Sequence, residues 1–272
     1  MQRVSAPTAP DLEPVIEAAG VVVQIDRREV LAGLDLVVRP GERWVVLGAN
    51  GSGKTTLLRV LALRQHPTRG AVRVKGLTLG EFDVRAVRPR LALVSASLGS
   101  ELRGAMSAHD AVMSAAHGAL ETWWHSYDEH DAARATSCLE RTGVGRFAAR
   151  PISSLSSGEL QRVLLARALM VDPIAILFDE PSARLDLRGR EDVVAMLDDA
   201  AASNEMLPTV LVTHHVDEIP GSATHCLLLR EGRTVASGAI DDVLTSEGVS
   251  ECLDVRVDIE RRATGRWSLH PR

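Results

Sequence analysis

The sequence predicts an α/β fold built on a mostly parallel sheet, with a helical subdomain inserted into it. Three observations lead there. Gly48-Ala49-Asn50-Gly51-Ser52-Gly53-Lys54-Thr55 follows the apolar run Trp44-Val45-Val46-Leu47 and precedes a helix-forming stretch. Ile174 to Phe178 and Thr209 to Thr213 are short continuous apolar runs, each placed after a helical segment. Such runs suit strands covered on both faces. From about 97 to 155 the apolar spacing becomes helical, then the strand pattern returns.

Residues 1–14 hold Pro7, Pro10 and Pro14 and no apolar core, so they read as a flexible leader, not a signal peptide. The main domain spans 15–250. Val21-Val22-Val23 and Val30 to Val38 predict strands of an antiparallel β edge, joined by the polar turn Asp26-Arg27-Arg28. Pro40-Gly41 marks a turn. Residues 43–48 lead into the glycine-rich loop and 54–64 form the helix after it. His66-Pro67-Thr68-Arg69-Gly70 breaks that helix, and short strands are expected near 71–75 and 91–95.

Within the helical subdomain, Ser107-x-x-Asp110 and Asp128-x-x-Asp131 read as helix caps. Ala132, Ala135, Cys138 and Leu139 recur at helical spacing up to Gly143. Trp123, Trp124 and Tyr127 cluster between the two helices and are expected to pack this lobe, with a partner-docking surface as the alternative. Helical segments at 158–171 and 187–203 precede the two buried strands. Leu227 to Leu229 and Thr234 to Ala236 flank the turn Arg230-Glu231-Gly232-Arg233. Alternation at Leu253, Val255, Val257 and Ile259, with a turn at Thr264-Gly265, predicts a C-terminal β-hairpin tail over 251–272, with Trp267 beneath it.

The chain has 272 residues, 45% of them hydrophobic, enough for one large domain with an inserted lobe. Its formal charge is −5 with no basic run, which argues against a general polyanion binder, so no nucleic-acid partner is expected. Cys138, Cys226 and Cys252 are widely spaced and form no C-x-x-C, as reduced packing thiols would. The longest apolar run, Val163 to Val171, is broken by Arg167 and falls short of the ~18 residues that span a bilayer. A soluble protein is expected, with any membrane role supplied through a partner.

The glycine-rich stretch is G-x-x-x-x-G-K-[ST] between a strand and a helix, the phosphate-loop pattern in its required context. Its glycines let backbone N–H groups turn inward onto phosphate oxygens, and the helix presents its positive dipole end. Lys54 is placed to reach the β- and γ-phosphates of ATP, and the Thr55 hydroxyl to hold Mg²⁺. Thr56 joins the same set of nucleotide contacts. The chain is therefore expected to fold as a P-loop NTPase.

A second group narrows the choice: Leu155-Ser156-Ser157-Gly158-Glu159-Leu160-Gln161-Arg162, then Asp179-Glu180-Pro181, Ser182-Ala183-Arg184-Leu185-Asp186 and Val212-Thr213-His214-His215. In this order the motifs resemble the nucleotide-binding domain of ABC ATPases, from about Val21 to Leu244, and look closest to the molybdate- and iron-type import ATPases of prokaryotes. Locally, Ser156-x-x-Glu159 is also a capping box, and Asp186 a cap for the helix starting near Leu187.

The resemblance implies that Ser156, Ser157 and Gly158 bind the γ-phosphate held by an opposite subunit, giving a homodimer that sandwiches ATP. It implies that Asp179 binds Mg²⁺, that Glu180 is the general base for the attacking water, and that His214 contacts the γ-phosphate. Asp186 is placed at the dimer interface. The implied function is ATP hydrolysis driving a transporter, through transmembrane permease subunits. An extracytoplasmic solute-binding protein is an optional further component. The implied location is cytoplasmic, peripheral on the inner face of the cell membrane.

Two positions depart from the family pattern. Ile25 stands where an aromatic usually stacks on adenine, which removes a stacking contribution of about 0.5–1.5 kcal/mol. Ala96 stands where the family places a Gln, within Ser95-Ala96-Ser97; Ser95 or Ser97 is left to supply a hydroxyl. Two alternative functions remain open at this stage: a soluble non-transport ABC ATPase, and a weakly active regulatory nucleotide-binding module.

Overall fold

The computed structural model describes residues 12–272 apart from Trp124 and Arg184, and for Ala96 the backbone alone. Most of the expected leader, one member of the aromatic trio and Arg184 of the Ser182–Asp186 motif thus lie outside the described residues.

In chain order, β1 (Ile16–Ile25) and β2 (Arg28–Val38) are joined by left-handed Asp26 and Arg27, with φ of 49° and 65°. Next come β3 (Arg43–Leu47), α1 (Lys54–Leu61), β4 (Arg69–Val74), β5 (Leu77–Thr78), α2 (Val84–Val87) and β6 (Leu91–Ser95). The helical lobe holds α3 (Ala96–Glu101), α4 (Ala108–Met113) and α5 (Glu129–Arg141), before α6 (Ser157–Leu169) returns to the sheet. The chain continues through β7 (Ala175–Asp179), α7 (Leu187–Ser203), β8 (Thr209–Thr213), β9 (His225–Arg230), β10 (Arg233–Ala239), α8 (Ile240–Val243), α9 (Ser246–Leu253), β11 (Val257–Arg261) and β12 (Trp267–Pro271).

The main sheet has the order β10-β9-β3-β8-β7-β6. Its neighbours from β9 to β6 run parallel, and β10 is an antiparallel edge strand. The N-terminal strands pair in a separate antiparallel sheet, β2-β1-β4-β5, and β11 pairs with β12. Alternate residues of the main sheet enter different cores, as the period of two requires. Val46, Leu177, Val212 and Leu227 pack with α1 and the N-terminal sheet. Val45, Phe178, Leu211 and Leu228 pack with α6, α7, α9 and the helical lobe.

Arg69 and Gly70, read from sequence as part of a break, begin β4. Gly70 has φ +89° and lies against β1, where a Cβ would collide with the Ala19 and Gly20 carbonyls. Its glycine signal is one of close approach, not of a turn. The helical lobe is held to α6 by Arg167, which is 7% exposed. Its guanidinium donates to the carbonyls of Ala111 and Ala119 and to Ser114 Oγ. Burial pulls its pKa down to about 10.

Two expectations are corrected. Trp123 does not pack the lobe interior: it is 66% exposed, with the Arg103 guanidinium 4.6 Å over its ring. Tyr127 does pack, edge-on to His117. The strand alternation expected from Leu253 begins at Val257, because Leu253 closes the helix capped by Thr245. Asp254 is left-handed at φ 59°, and Val255 is exposed. Trp267 packs into the core below the hairpin. No helix among the described residues is long and apolar enough to cross a membrane.

Phe178 is fully buried and immediately precedes Asp179. Phe178→Ala should cost about 3–5 kcal/mol of folding stability, read as a lower urea midpoint. A cost below about 1 kcal/mol would be incompatible with strand β7 being enclosed on both faces.

Candidate active site

The parallel register brings the site together. Leu47 pairs with Thr213, Val212 with Asp179, and Asp179 with Ser95. The chain therefore leaves β3, β8, β7 and β6 side by side along one edge of the sheet. This is the carboxyl-end crevice where open α/β sheets place their ligands.

The loop after β3 needs its glycines. Gly51 and Gly53 are left-handed, at φ 79° and 104°, and a Cβ on Gly48 would collide with the Leu229 carbonyl. Ser52 donates its N–H to Ala49 O at 3.2 Å, while its Oγ is buried with no partner. Helix α1 starts at Lys54 with no side-chain cap and no acidic residue in its first turn, so its N–H groups face the loop uncompensated.

Lys54 is 4% exposed. Its ammonium donates to Gly48 O at 2.8 Å and Ala49 O at 3.0 Å, and lies 3.6 Å from Glu180 Oε1. Burial lowers its pKa, and the charge of Glu180 works against that shift. Thr55 Oγ1 donates to Asp179 Oδ1 at 3.1 Å. Burial raises the Asp179 pKa, and the Thr55 hydrogen bond opposes the rise. Two oxygen donors of this kind, one a carboxylate short of solvation, fit a hard divalent cation.

Glu180 has φ 46°, a sparsely populated conformation for a residue with a side chain. Its N–H donates to Val212 O at 3.0 Å, which pins the turn against β8. Glu180 Oε1 lies 3.2 Å from His214 Nδ1, close enough for an ion pair but outside hydrogen-bond alignment. The His214 ring is tilted against His215, with centroids 4.0 Å apart.

A cavity of about 620 Å³ opens over Lys54, Thr55, Asp179 and Glu180, lined also by Asn50, Gly51, Gly53 and Thr56, while His214 stands behind Glu180 and does not line it. It also has members that the spacing of motifs did not identify. Val30, on β2, lines it, whereas Ile25 does not and is 44% exposed at the end of β1. Ser100 lines it with Ser95 and Ser97, whose hydroxyls lie 3.0 Å apart. Ser95 is buried and caps α3 by accepting from Leu98 N–H.

Ser156, Ser157 and Gly158 lie elsewhere, in a cavity of about 640 Å³ shared with Asp186, Gly189 and Asp192 of the α7 start. Ser156 forms a reciprocal capping box: its Oγ accepts from Glu159 N–H at 3.3 Å and its N–H donates to Glu159 Oε2 at 2.7 Å. That backbone donor lowers the Glu159 pKa. Asp186 caps α7 by accepting from Gly189 N–H at 2.8 Å. Among the described residues, the two cavities have no lining residue in common. Each presents a helix N-terminus of the sort that binds anions.

The family model described as "ABC transporter" matches residues 31–183. A putative ABC transporter ATP-binding protein of Streptococcus mutans is 33% identical over 94% of this chain and 98% of its own length. The hemin import ATP-binding protein of Streptomyces coelicolor is 36% identical over 93% of this chain and 88% of its own. Among solved structures, a dimeric bacterial ABC transporter cassette superposes with a TM-score of 0.69 at 24% identity, covering 83% of this chain and 98% of that one.

Burial of Asp179 has a consequence for the nucleotide-free chain. A carboxyl whose folded pKa is raised binds its proton more tightly when folded. Stability is therefore lost as pH rises from the ordinary Asp value, about 3.9, through the raised folded value. Asp179→Asn keeps an acceptor for Thr55 and removes the charge. It should raise the thermal midpoint at pH 7, with the advantage shrinking as pH falls through the raised folded value and gone below about pH 4. An equal or lower midpoint at pH 7 would show that the cost of this burial is already offset.

Proposed function

The chain belongs to the ABC transporter family of ATP-binding, ATP-hydrolysing subunits, and on that premise we propose that it is the motor of an import-type transporter. Two chains would close head to tail on two ATP molecules. The observation that carries this reading is the separation of the two anion-binding cavities. The phosphate loop and the Ser156–Gly158 segment open into different cavities, so one chain holds two half-sites that a second copy completes. Membership of this family, the dimeric cassette and the relatives named for import support the same reading.

In this site Lys54 exchanges its two loop carbonyls for β- and γ-phosphate oxygens, and the α1 N-terminus adds its dipole. Thr55 and Asp179 would hold Mg²⁺, which when bound neutralises phosphate charge. Glu180 accepts a hydrogen bond from the attacking water and aligns it with the γ-phosphorus. Its left-handed backbone aims the carboxylate into the cavity instead of along the strand. His214, beside Glu180, contacts the γ-phosphoryl oxygens as charge spreads over them. Ser156 and Gly158 of a second copy close the other side with backbone N–H groups. Catalysis is then chiefly positioning and electrostatics. Dimer closure would drive transmembrane permease subunits and place this chain peripherally on the membrane. The transported solute belongs to that partner.

Glu180→Gln should lower kcat by at least about 100-fold while retaining ATP affinity and trapping an ATP-dependent dimer on gel filtration. Turnover within about tenfold of wild type would remove Glu180 from this role. The trapped variant should also bring a multi-span membrane protein with it from native membranes in mild detergent. Recovery of a homodimer alone would count against a transporter motor.

A further inference from the structure

The C-terminal hairpin reaches the turn that follows His214 and His215 through Arg266. Arg266 lies in the turn before β12, fixed by Trp267 in the core and by its own carbonyl, which accepts from Arg262 N–H at 2.7 Å. Its guanidinium spans two elements. Nη1 and Nη2 donate to the Glu191 carboxylate on α7 at 2.9 and 3.3 Å, and Nη2 also donates to Asp217 O at 2.5 Å. Asp217 belongs to the single 3₁₀ turn, Val216–Glu218, that follows His214 and His215.

The same turn is gripped from within. Thr213, fully buried, donates its hydroxyl to Glu218 Oε2 at 2.5 Å and accepts from His215 N–H at 3.1 Å. Glu218 is buried and lies 3.9 Å from Arg190 Nε on α7. Neighbouring residues of α7 thus hold the turn by two routes: Arg190 through Glu218, and Glu191 through Arg266. His214 sits between Thr213 and this clamp.

We propose that Arg266 is a positioning residue for His214: it locks the turn after the histidine to helix α7 and so sets where the imidazole sits against Glu180. The inference rests on the proposed action of His214 on the γ-phosphate. The hairpin lies outside residues 31–183, the part of the chain that the family model covers. The clamp also ties the second cavity to the histidine turn, since α7 begins at the residues that line it. A planar fork suits this task. It holds a carboxylate with two parallel bonds and still has a donor for the carbonyl, which a lysine ammonium matches less rigidly.

The test is a double-mutant cycle on the full-length chain, below all thermal midpoints, with steady-state ATPase rates and the His214 imidazole NMR resonance as readouts. Arg266→Ala should lower kcat about tenfold with KM for ATP within about twofold, and Arg266→Lys should recover part of the loss. In a His214→Ala background, Arg266→Ala should cost less than about a further twofold. The His214 resonance should move in Arg266→Ala and return toward its place in Arg266→Lys, while that of His109 in the helical lobe stays fixed. An unmoved His214 resonance, or an equal loss of kcat in both backgrounds, overturns the proposal. Wild-type turnover in His214→Ala would instead refute the role of His214 itself, leaving the resonance shift to report whether the clamp positions the ring.

Discussion

Double-sided burial of a parallel sheet is the constraint on which the rest of this structure depends. Strands β3, β7 and β8 carry apolar side chains into both cores, so they have almost no room for polar groups along their length. Polar chemistry is confined to the strand ends, where the backbone leaves the ladder. Because the strands run parallel, their carboxyl ends all lie on one edge. Gly48, Asp179, Thr213 and Ser95 become neighbours without having been close in sequence. Loops carrying those residues then need only short turns to face one cavity.

The edge concentrates charge at a cost in stability. Lys54 is nearly inaccessible, Asp179 has its pKa raised by burial, and Glu180 holds a left-handed backbone. Each feature works against the nucleotide-free fold, and a polyphosphate and a cation would compensate the two buried charges. Packing below the edge supplies the compensation, with Phe178 fully enclosed beneath Asp179 and Leu47 beneath the loop. Strain placed over a well-filled core is the usual arrangement of a functional site.

Local spacing was enough to read the phosphate loop, the capped helices and the buried strands, because each depends on residues within one or two turns of chain. The Ser156–Glu159 box and the Asp128–Asp131 box form as their spacing implied. Tertiary proximity was not legible in this way. Glu180 and His214 meet only because β7 and β8 are adjacent, and sequence placed them in one site only through resemblance to a family. Val30 enters the cavity because β2 crosses the loop, a crossing that no motif encodes. Arg167 looked like an interruption in an apolar run. It is instead a buried cation whose donors meet the carbonyls of Ala111 in α4 and of Ala119 beyond it. Leu253 and Val255 fit an alternating pattern too short to tell a strand from the end of a capped helix.

The clamp on the histidine turn shows what such a reading must miss. Arg266 and Glu191 are 75 residues apart, and neither belongs to a nucleotide-binding motif. Their contact exists because the hairpin packs Trp267 into the core shared with α7 and the turn after β8. Once it is made, α7 has one end in the second cavity and its first turns tied to the turn that follows His214, which lies beside Glu180 of the first. A helix is stiff over its first turns, so displacement of its start by a second copy would reach that turn directly. In the proposed dimer, the half-site that each chain offers its neighbour is therefore joined mechanically to the half-site it keeps.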